Sequence, residues 1–459
     1  MLMTATALPA PQTAPAAAAL QAGDAGLTAR LDRLPVTALH LLAVGLCALG
    51  FVFDLMEVAL GSVLSAVFST PPNAVPSQQL AVLLSSMYVG AVIGAPALGW
   101  VADRFGRRVT LVGALLWLGA CSMGAALSAG LDGLTLFRAL SGLALGAYPP
   151  LMFAYMTDLL PPARRGPLLM LMGCVASLGA PLGVFGVRAL ASHPAVGMDA
   201  WRWGLGFGAV GAVAIGLLFL LLPESPRWLH AKGRAAEADR ACGRFERSRA
   251  MLSAGAVAAA EPRRDAPAAA PLRKGPWPRI AALFLLSPWA TVAFPLLSGA
   301  VLAQKGFRIS DTLFYVGVST FGAPIGQALA AAALDKFERR RLLMACAAAM
   351  VVSGALFIGT AEPVLLVLAN LLFGISCAIY ISGLTLYASE LFPTARRAGS
   401  LAGAWSMNRL GAVAAPLLLL PLLKLQGPEA MFAVIGATLI ASVAVLALSP
   451  QGLQRQSVS

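Results

Sequence analysis

Apolar runs of about 20 residues or more recur along the chain, separated by short polar or basic breaks, and each can cross a hydrocarbon core of ~30 Å as a helix. Lipid offers no water to an unpaired backbone, so such segments are confined to helices that bond their own N–H and C=O groups. Composition agrees: 59% of the 459 residues are hydrophobic and 12% are charged, about half the charged share of a soluble protein. Twelve spans are expected, at 37–62, 80–101, 109–129, 132–158, 166–190, 203–222, 279–303, 312–334, 341–361, 363–388, 399–423 and 429–448. The chain is therefore an all-α membrane protein.

A formal net charge of +13 would raise nucleic acid as a partner for a soluble chain. The bases follow topology instead. Arg104, Arg107, Arg108, Arg164, Arg165, the Arg-rich stretch 227–279 and Lys336 to Arg341 fall on one side of the spans. Arg188, Arg202, Lys305, Arg308 and Lys424 fall on the other, so the positive-inside rule puts both termini in the cytoplasm and nucleic acid drops out. Residues 1–36, rich in Ala, Pro and Thr, are expected as a disordered cytoplasmic tail. Residues 37–222 and 279–448 are expected as two six-helix bundles, 223–278 as a cytoplasmic linker with an amphipathic helix near 231–249, and 449–459 as a second tail. The six cysteines fit neither a disulfide framework nor a metal site.

Four charges remain well inside spans: Asp54, Glu57, Arg138 and Arg409. An ionised side chain in mid-membrane costs at least about 2.5 kcal/mol on insertion scales, so each must face a polar cavity, pair with an opposite charge or carry protons. At 1.5 Å per residue, Asp54 lies roughly 24 Å along the first span from its cytoplasmic end and Arg138 roughly 10 Å in from the external end of the fourth. Both belong to the outer half, which permits a pair, either static or proton-coupling. Glu57 is one turn further out, as a second acid tuning the first or as a solvated vestibule residue. Arg409 lies roughly 15 Å into the eleventh span, near the midplane, where a guanidinium can clamp a carboxylate through two parallel hydrogen bonds. Its alternative is an ion pair with Asp54 or Glu57. Tyr380, Trp289 and Asn408 are expected beside it in a substrate site. Gly90 with Gly94, and Gly142 with Gly146, have the spacing of close helix packing.

Two motifs recur at one offset of 232 residues. Asp103 maps to Asp335, and Tyr155, Asp158, Pro161, Ala163, Arg164 and Arg165 map to Tyr387, Glu390, Pro393, Ala395, Arg396 and Arg397. That is an internal duplication, and parallel repeats of this kind build transporters with a central site between the halves.

At these residues the chain resembles a known family. Gly99 to Arg108 is similar to the loop signature of the major facilitator superfamily, and Trp201-Arg202-Trp203 with residues 223–229 is similar to its sugar-porter-related branch. Phe53 to Glu57, residues 387–394 and Arg409 to Ala412 most resemble the group of synaptic-vesicle-protein-related and bacterial metabolite:proton symporters, which includes nicotinate and aromatic-acid carriers. The resemblance implies twelve helices in two pseudo-repeats working by alternating access, with an acid and an Arg paired at the positions of Asp54 and Arg138 and the acid coupling the proton. It implies a cytoplasmic gate of Asp103, Arg104, Arg107 and Arg108 with Asp335. Asp158 with Arg164 and Arg165, Glu390 with Arg396 and Arg397, and Glu224 with Arg227 would complete that gate. Glu338 stands where the pattern has Gly, so the second copy of the loop is degraded.

The resulting expectation is a monomeric, proton-coupled transporter of a small organic anion, an aromatic or heteroaromatic carboxylate, in a bacterial inner membrane. No cofactor, metal or enzymatic motif is expected. The seventh span lacks paired glutamines, and most spans lack the amides that bind a polyol. The alternatives are a drug or cation exporter, a sugar or polyol symporter, and a non-transporting nutrient sensor.

Overall fold

The computed structural model of the chain describes residues 26–27, 29–191, 198–252, 277–334, 336–392 and 397–450. Twelve of its helices are long and apolar enough to cross a membrane: α1 (Ala38–Val67), α2 (Ser77–Phe105), α3 (Arg107–Leu127), α4 (Leu131–Leu159), α5 (Arg164–Ala191), α6 (Ala200–Leu221), α7 (Trp277–Gln304), α8 (Ile309–Ala331), α9 (Arg339–Gly359), α10 (Pro363–Leu391), α11 (Ser400–Gln426) and α12 (Pro428–Ala447). Proline at the first position starts α10 and α12, where its missing N–H is no loss. Between α2 and α3 the chain turns on Gly106, at φ +120°, and a Cβ there would run into the Glu224 carboxylate.

The two halves share one packing diagram. In the first, α1 packs on α5 and α6, α2 on α4, and α3 on α4 and α6. In the second, α7 packs on α11 and α12, α8 on α10, and α9 on α10 and α12. The offset of 232 extends to contacts. Arg107 pairs with Asp158 at 3.8 Å, and Arg339 with Glu390 at 3.2 Å. Tyr155 donates to the Pro223 carbonyl and Tyr387 to that of Pro450, tying the end of α4 or α10 to the residue where the sixth or twelfth helix gives out.

Glycines set the closest approaches. Gly90, Gly94, Gly142 and Gly146 interlock α2 with α4, so that a Cβ on any of them meets the facing backbone. Gly322, Gly326 and Gly374 do the same between α8 and α10, at the offset carried by Gly90, Gly94 and Gly142.

Three spans are interrupted where the sequence predicts continuous helices. The breaks fall at Leu178 in α5, Val292 in α7 and Phe321 in α8. Each is followed three residues later by a proline, Pro181, Pro295 or Pro324. A proline cannot donate to the carbonyl four residues back and its ring clashes with it. The carbonyls so released belong to Ser177, Thr291 and Thr320.

The halves meet along α1–α7, α2–α11 and α5–α8. The end of the molecule carrying Gly106 and the linker is rich in Arg and is called here the basic end. At the opposite end Arg188 donates to the Ser310 carbonyl at 3.2 Å, and Lys424 to that of Ser69 at 3.5 Å. Midway, Ser85 donates to the Val413 carbonyl at 3.0 Å. At the basic end the ion pairs Arg107–Asp103, Arg107–Asp158 and Arg339–Glu390 each lie within one half.

Next to the bundle, the linker forms the expected amphipathic helix, at Ala235–Glu246, preceded by a short helix Pro226–Ala231 from which Gly233 at φ +74° parts it. A short antiparallel pairing joins β1 (Val36–Thr37) to β2 (Ala250–Leu252). The expected tail 1–36 is ordered in its last part: Leu27 and Leu31 pack under Trp228, Leu229 and Cys242, and Arg30 bridges Asp239 and Glu246. Residues 1–25, 253–276 and 451–459 of the expected tails and linker lie outside the described residues.

Replacing Gly142 with Val should overpack the α2–α4 seam and cost roughly 1–3 kcal/mol, read as a lowered melting temperature in detergent. Gly99→Ala, where a Cβ meets nothing within 4 Å, is expected to leave it unchanged.

Candidate functional site

The four mid-span charges converge on α1, but not in the predicted pairing. Arg138 of α4 binds Glu57 at 2.7 Å, and both side chains are 2% exposed. The same guanidinium donates to the Glu57 carbonyl at 3.1 Å and to the Met87 sulfur at 3.3 Å. The expected Asp54–Arg138 partnership is therefore corrected to Glu57–Arg138. The reason is one of depth. α1 runs on to Val67 instead of ending near residue 62, which moves the whole turn inward and brings Glu57, not Asp54, level with Arg138.

Asp54 is also 2% exposed, and its Oδ1 accepts no hydrogen bond. The cation acting on it electrostatically is Arg409 of α11, in the other half. Arg409 is partly buried and also acts on Tyr88 of α2, as Arg138 does. So one ion pair is closed within the first half, and one acid and one base oppose each other across the seam.

Beside this cluster, at mid-depth between the halves, lies a cavity of about 350 Å³. It is walled by α1, α2, α5, α7, α8 and α10, largely with apolar groups such as Leu55, Val58, Leu296 and Phe373. Its polar atoms come from Tyr88, hydroxyls including Ser177, Thr291 and Thr320, and the amides Gln327 and Asn370. Ser177, Thr291 and Thr320 are the residues whose carbonyls the proline breaks release, so three interrupted helices open onto one space. No ionised side chain is among the lining residues.

Of the expected substrate residues, none lines this cavity. Tyr380 is buried within the second half beside Ser442 of α12. Trp289 packs against the hydrophobic core. Asn408 donates to the Ser287 hydroxyl at 2.9 Å, a bond between α11 and α7 inside one half. Their types suit a site, but their helix faces point into packing. Gln327 and Asn370 were passed over although an amide inside an apolar span is itself a signal, because a buried amide needs partners. Most spans do lack amides, and these two, on α8 and α10, share the cavity wall.

The loop residues are wired differently from the expected gate. Asp103 is exposed and pairs with Arg107 at 3.0 Å, while its carbonyl accepts from the Trp228 ring at 3.2 Å. Arg104 lies over the rings of Trp100 and Phe105. Glu224 does not pair with Arg227: its carboxylate caps α3, accepting from the Arg108 N–H at 3.0 Å, which suits an anion at a helix N-terminus. Arg227 goes to Asp32 at 2.6 Å and to the Asp158 carbonyl. Asp158 takes Arg107 and the Ser225 hydroxyl in place of Arg164 and Arg165, and Arg165 donates to the Leu160 carbonyl. Glu390 takes Arg339. Asp335, Arg396 and the side chain of Arg397 lie outside the described residues.

Comparison with known proteins follows this geometry. Residues 41–262 match the family described as sugar (and other) transporter, and residues 314–457 match the major facilitator superfamily. The chain belongs to the major facilitator superfamily. Within the superfamily it is 25% identical to YyaJ of Bacillus subtilis, named as a metabolite transport protein, over 85% of this chain and 87% of that one. It is 23% identical to the niacin transporter NiaP of Acinetobacter baylyi, over 94% and 98% of the two chains. It is 27% identical to the D-xylose transporter of Levilactobacillus brevis, over 59% and 60%. Among solved structures, the xylose transporter XylE of Escherichia coli in a partially occluded inward-open conformation superposes with a TM-score of 0.70, at 21% identity, covering 90% of this chain and 97% of that one. As a superfamily member of the sugar-porter-related branch, the chain is a multi-pass membrane transporter and not an enzyme.

Removing one partner of a buried ion pair strands the other charge, at a cost of about 3–5 kcal/mol. Glu57→Gln should therefore lower the melting temperature markedly. The double variant Glu57→Gln with Arg138→Met should recover much of the loss. Equal losses in the single and double variants would deny the pair this role.

Proposed function

We propose that the chain is a proton-coupled symporter of a small aromatic or heteroaromatic carboxylate in a bacterial inner membrane, with Asp54 as the proton carrier and Arg409 as the anion contact. The observation carrying this reading is the buried Asp54 oxygen that accepts no hydrogen bond, opposed across the seam by Arg409. A carboxylate out of water with no donor must hold a proton or borrow a cation. Glu57 already has its cation, Arg138 at 2.7 Å in the same half, and so needs no proton.

The coupling follows from charge. Asp54 belongs to the first half and Arg409 to the second, so rocking of the halves changes their separation, whereas Glu57–Arg138 rides through unchanged. A substrate carboxylate that engages Arg409 removes the counter-charge Asp54 relied on and favours its protonation. Anion and proton then occupy the site together, and the neutral assembly crosses at least cost. Largely apolar walls with Phe373 and Tyr88 suit a flat ring, and the relative matched over nearly its whole length includes a niacin transporter.

With the basic end in the cytoplasm, contacts at Arg188–Ser310 and Lys424–Ser69 close the outer side. The superposition on a partially occluded inward-open relative agrees with that state. The loop network of Asp103, Arg104, Arg107, Arg108, Asp158, Arg164, Arg165, Glu224, Arg227 and Glu390 then serves as the inner gate, held within each half while the inner side is released. Asp335, Arg396 and Arg397 remain assigned to it by motif alone. One chain supplies all the walls of the cavity, which supports a monomer as the working unit.

A second reading, a sugar or polyol symporter, is favoured by Gln327 and Asn370 on the cavity wall and by the xylose-transporting relative. Stabilisation of the purified protein by nicotinate, benzoate and D-xylose separates the two. Under the carboxylate reading Arg409→Gln abolishes the shift with nicotinate or benzoate. Under the sugar reading only D-xylose shifts the melting temperature, and Asn370→Leu removes that shift.

In vesicles, Asp54→Asn should retain exchange of labelled substrate across the membrane and lose accumulation driven by an imposed pH gradient. Gradient-driven accumulation at the wild-type level in that variant would defeat the assignment.

A further inference from the structure

A second pocket, of about 320 Å³, opens at the basic end, well away from the transport cavity. Its floor is the junction of α2 with α3 and the end of α6, at Phe105, Arg108, Val109 and Pro223. Its other wall is the linker, through Trp228, Arg234, Arg240 and Arg244. Four guanidiniums thus face one space together with two carboxylates, Glu224 and Glu237.

The carboxylates are already committed. Glu224 is held by the α3 N-terminus and by the Ser225 N–H, and Glu237 is bound by Arg234 at 2.6 Å. Among the described residues Arg108, Arg240 and Arg244 take part in no ion pair. Arg108 donates to the Leu222 carbonyl and Arg244 to that of Leu221, both at 2.7 Å, and the buried Nε of Arg108 finds no acceptor. Carbonyls orient these guanidiniums without neutralising them. Positive charge is left over in a concave site with spare N–H donors, the arrangement that forked recognition of phosphate oxygens uses.

Its position says where such a phosphate would come from. Phe105 and Val109 on the pocket wall are exposed, as are Leu220 and Leu221 at the end of α6 that Arg244 reaches, all at the ends of membrane-spanning helices. Large apolar side chains beside arginines mark the level of the headgroups, where basic pockets on the cytoplasmic side bind anionic lipid.

We infer that this Arg108–Arg240–Arg244 pocket binds an anionic phosphate group, delivered by a phospholipid headgroup at the inner membrane surface. The bound headgroup would bridge the α3 and α6 ends of the first half to the linker helix Ala235–Glu246. It would therefore brace the linker against the bundle independently of the transported solute.

The test uses the full chain purified in detergent and measures its melting temperature with phosphatidylglycerol, with phosphatidylcholine and with inorganic phosphate at matched concentration. Phosphatidylglycerol is expected to raise the melting temperature more than phosphatidylcholine does. Arg240→Gln alone should reduce that extra shift, and Arg240→Gln with Arg244→Gln should remove at least half of it. Arg33→Gln, an exposed base elsewhere at the same end, should leave it intact. An equal response to inorganic phosphate, lost in the same variants, would keep the pocket and make soluble phosphate its source. No difference between the two lipids and no response to phosphate, or equal losses in Arg33→Gln and the pocket variants, would overturn the inference.

Discussion

Placing charge in a slab that has no water to offer is the constraint to which the rest of this molecule answers. Glu57 and Arg138 satisfy it completely, at 2.7 Å and sealed from solvent, and they do so within one half. Asp54, one turn away on the same helix, does not. The cation that acts on it, Arg409, lies on α11 across the seam between the halves. A paired charge that travels with its partner is structural.

The duplication gives the seam its shape. Because each half repeats the same neighbour relations, the surfaces left over for contact are equivalent: α2 meets α11 as α8 meets α5, and α1 meets α7. Glycines at a common offset draw α2 to α4 and α8 to α10 until backbones touch, so each half is a stiff body. The prolines do the reverse on α5, α7 and α8, interrupting helices at the depth of the cavity. Glycine-tied pairs hold each half together, and interrupted helices surround the cavity.

Much of the architecture was legible in the sequence because it depends on local, periodic chemistry. Span length, basic loops and the repeat of Tyr155 and Asp158 at 232 residues all survive translation into three dimensions. The site was legible only in part. Asp54, Glu57, Arg138 and Arg409 stood out because a charge in an apolar run has so few explanations. Tyr380, Trp289 and Asn408 misled because residue type says nothing about which helix face looks inward. Gln327 and Asn370 were missed for the converse reason, an amide being a weaker signal than a charge until two of them share a cavity. Asp158 and Glu224 take partners other than the expected ones because near neighbours in sequence project from different turns, and Arg107 reaches Asp158 from the start of the preceding helix, as Arg339 reaches Glu390.

By itself the sequence determined that the chain crosses a membrane twelve times in two related halves and that a few ionised groups must be handled inside it. Those follow from transfer energies, which depend on composition and length and not on neighbours. Only the tertiary structure decided which acid Arg138 neutralises, because that turns on where α1 ends and so on one helical turn of depth. It likewise set Asp54 apart from Arg138, with its Oδ1 buried and accepting no hydrogen bond. An ion pair is a matter of a few ångströms between distant segments, and no reading along the chain contains that distance.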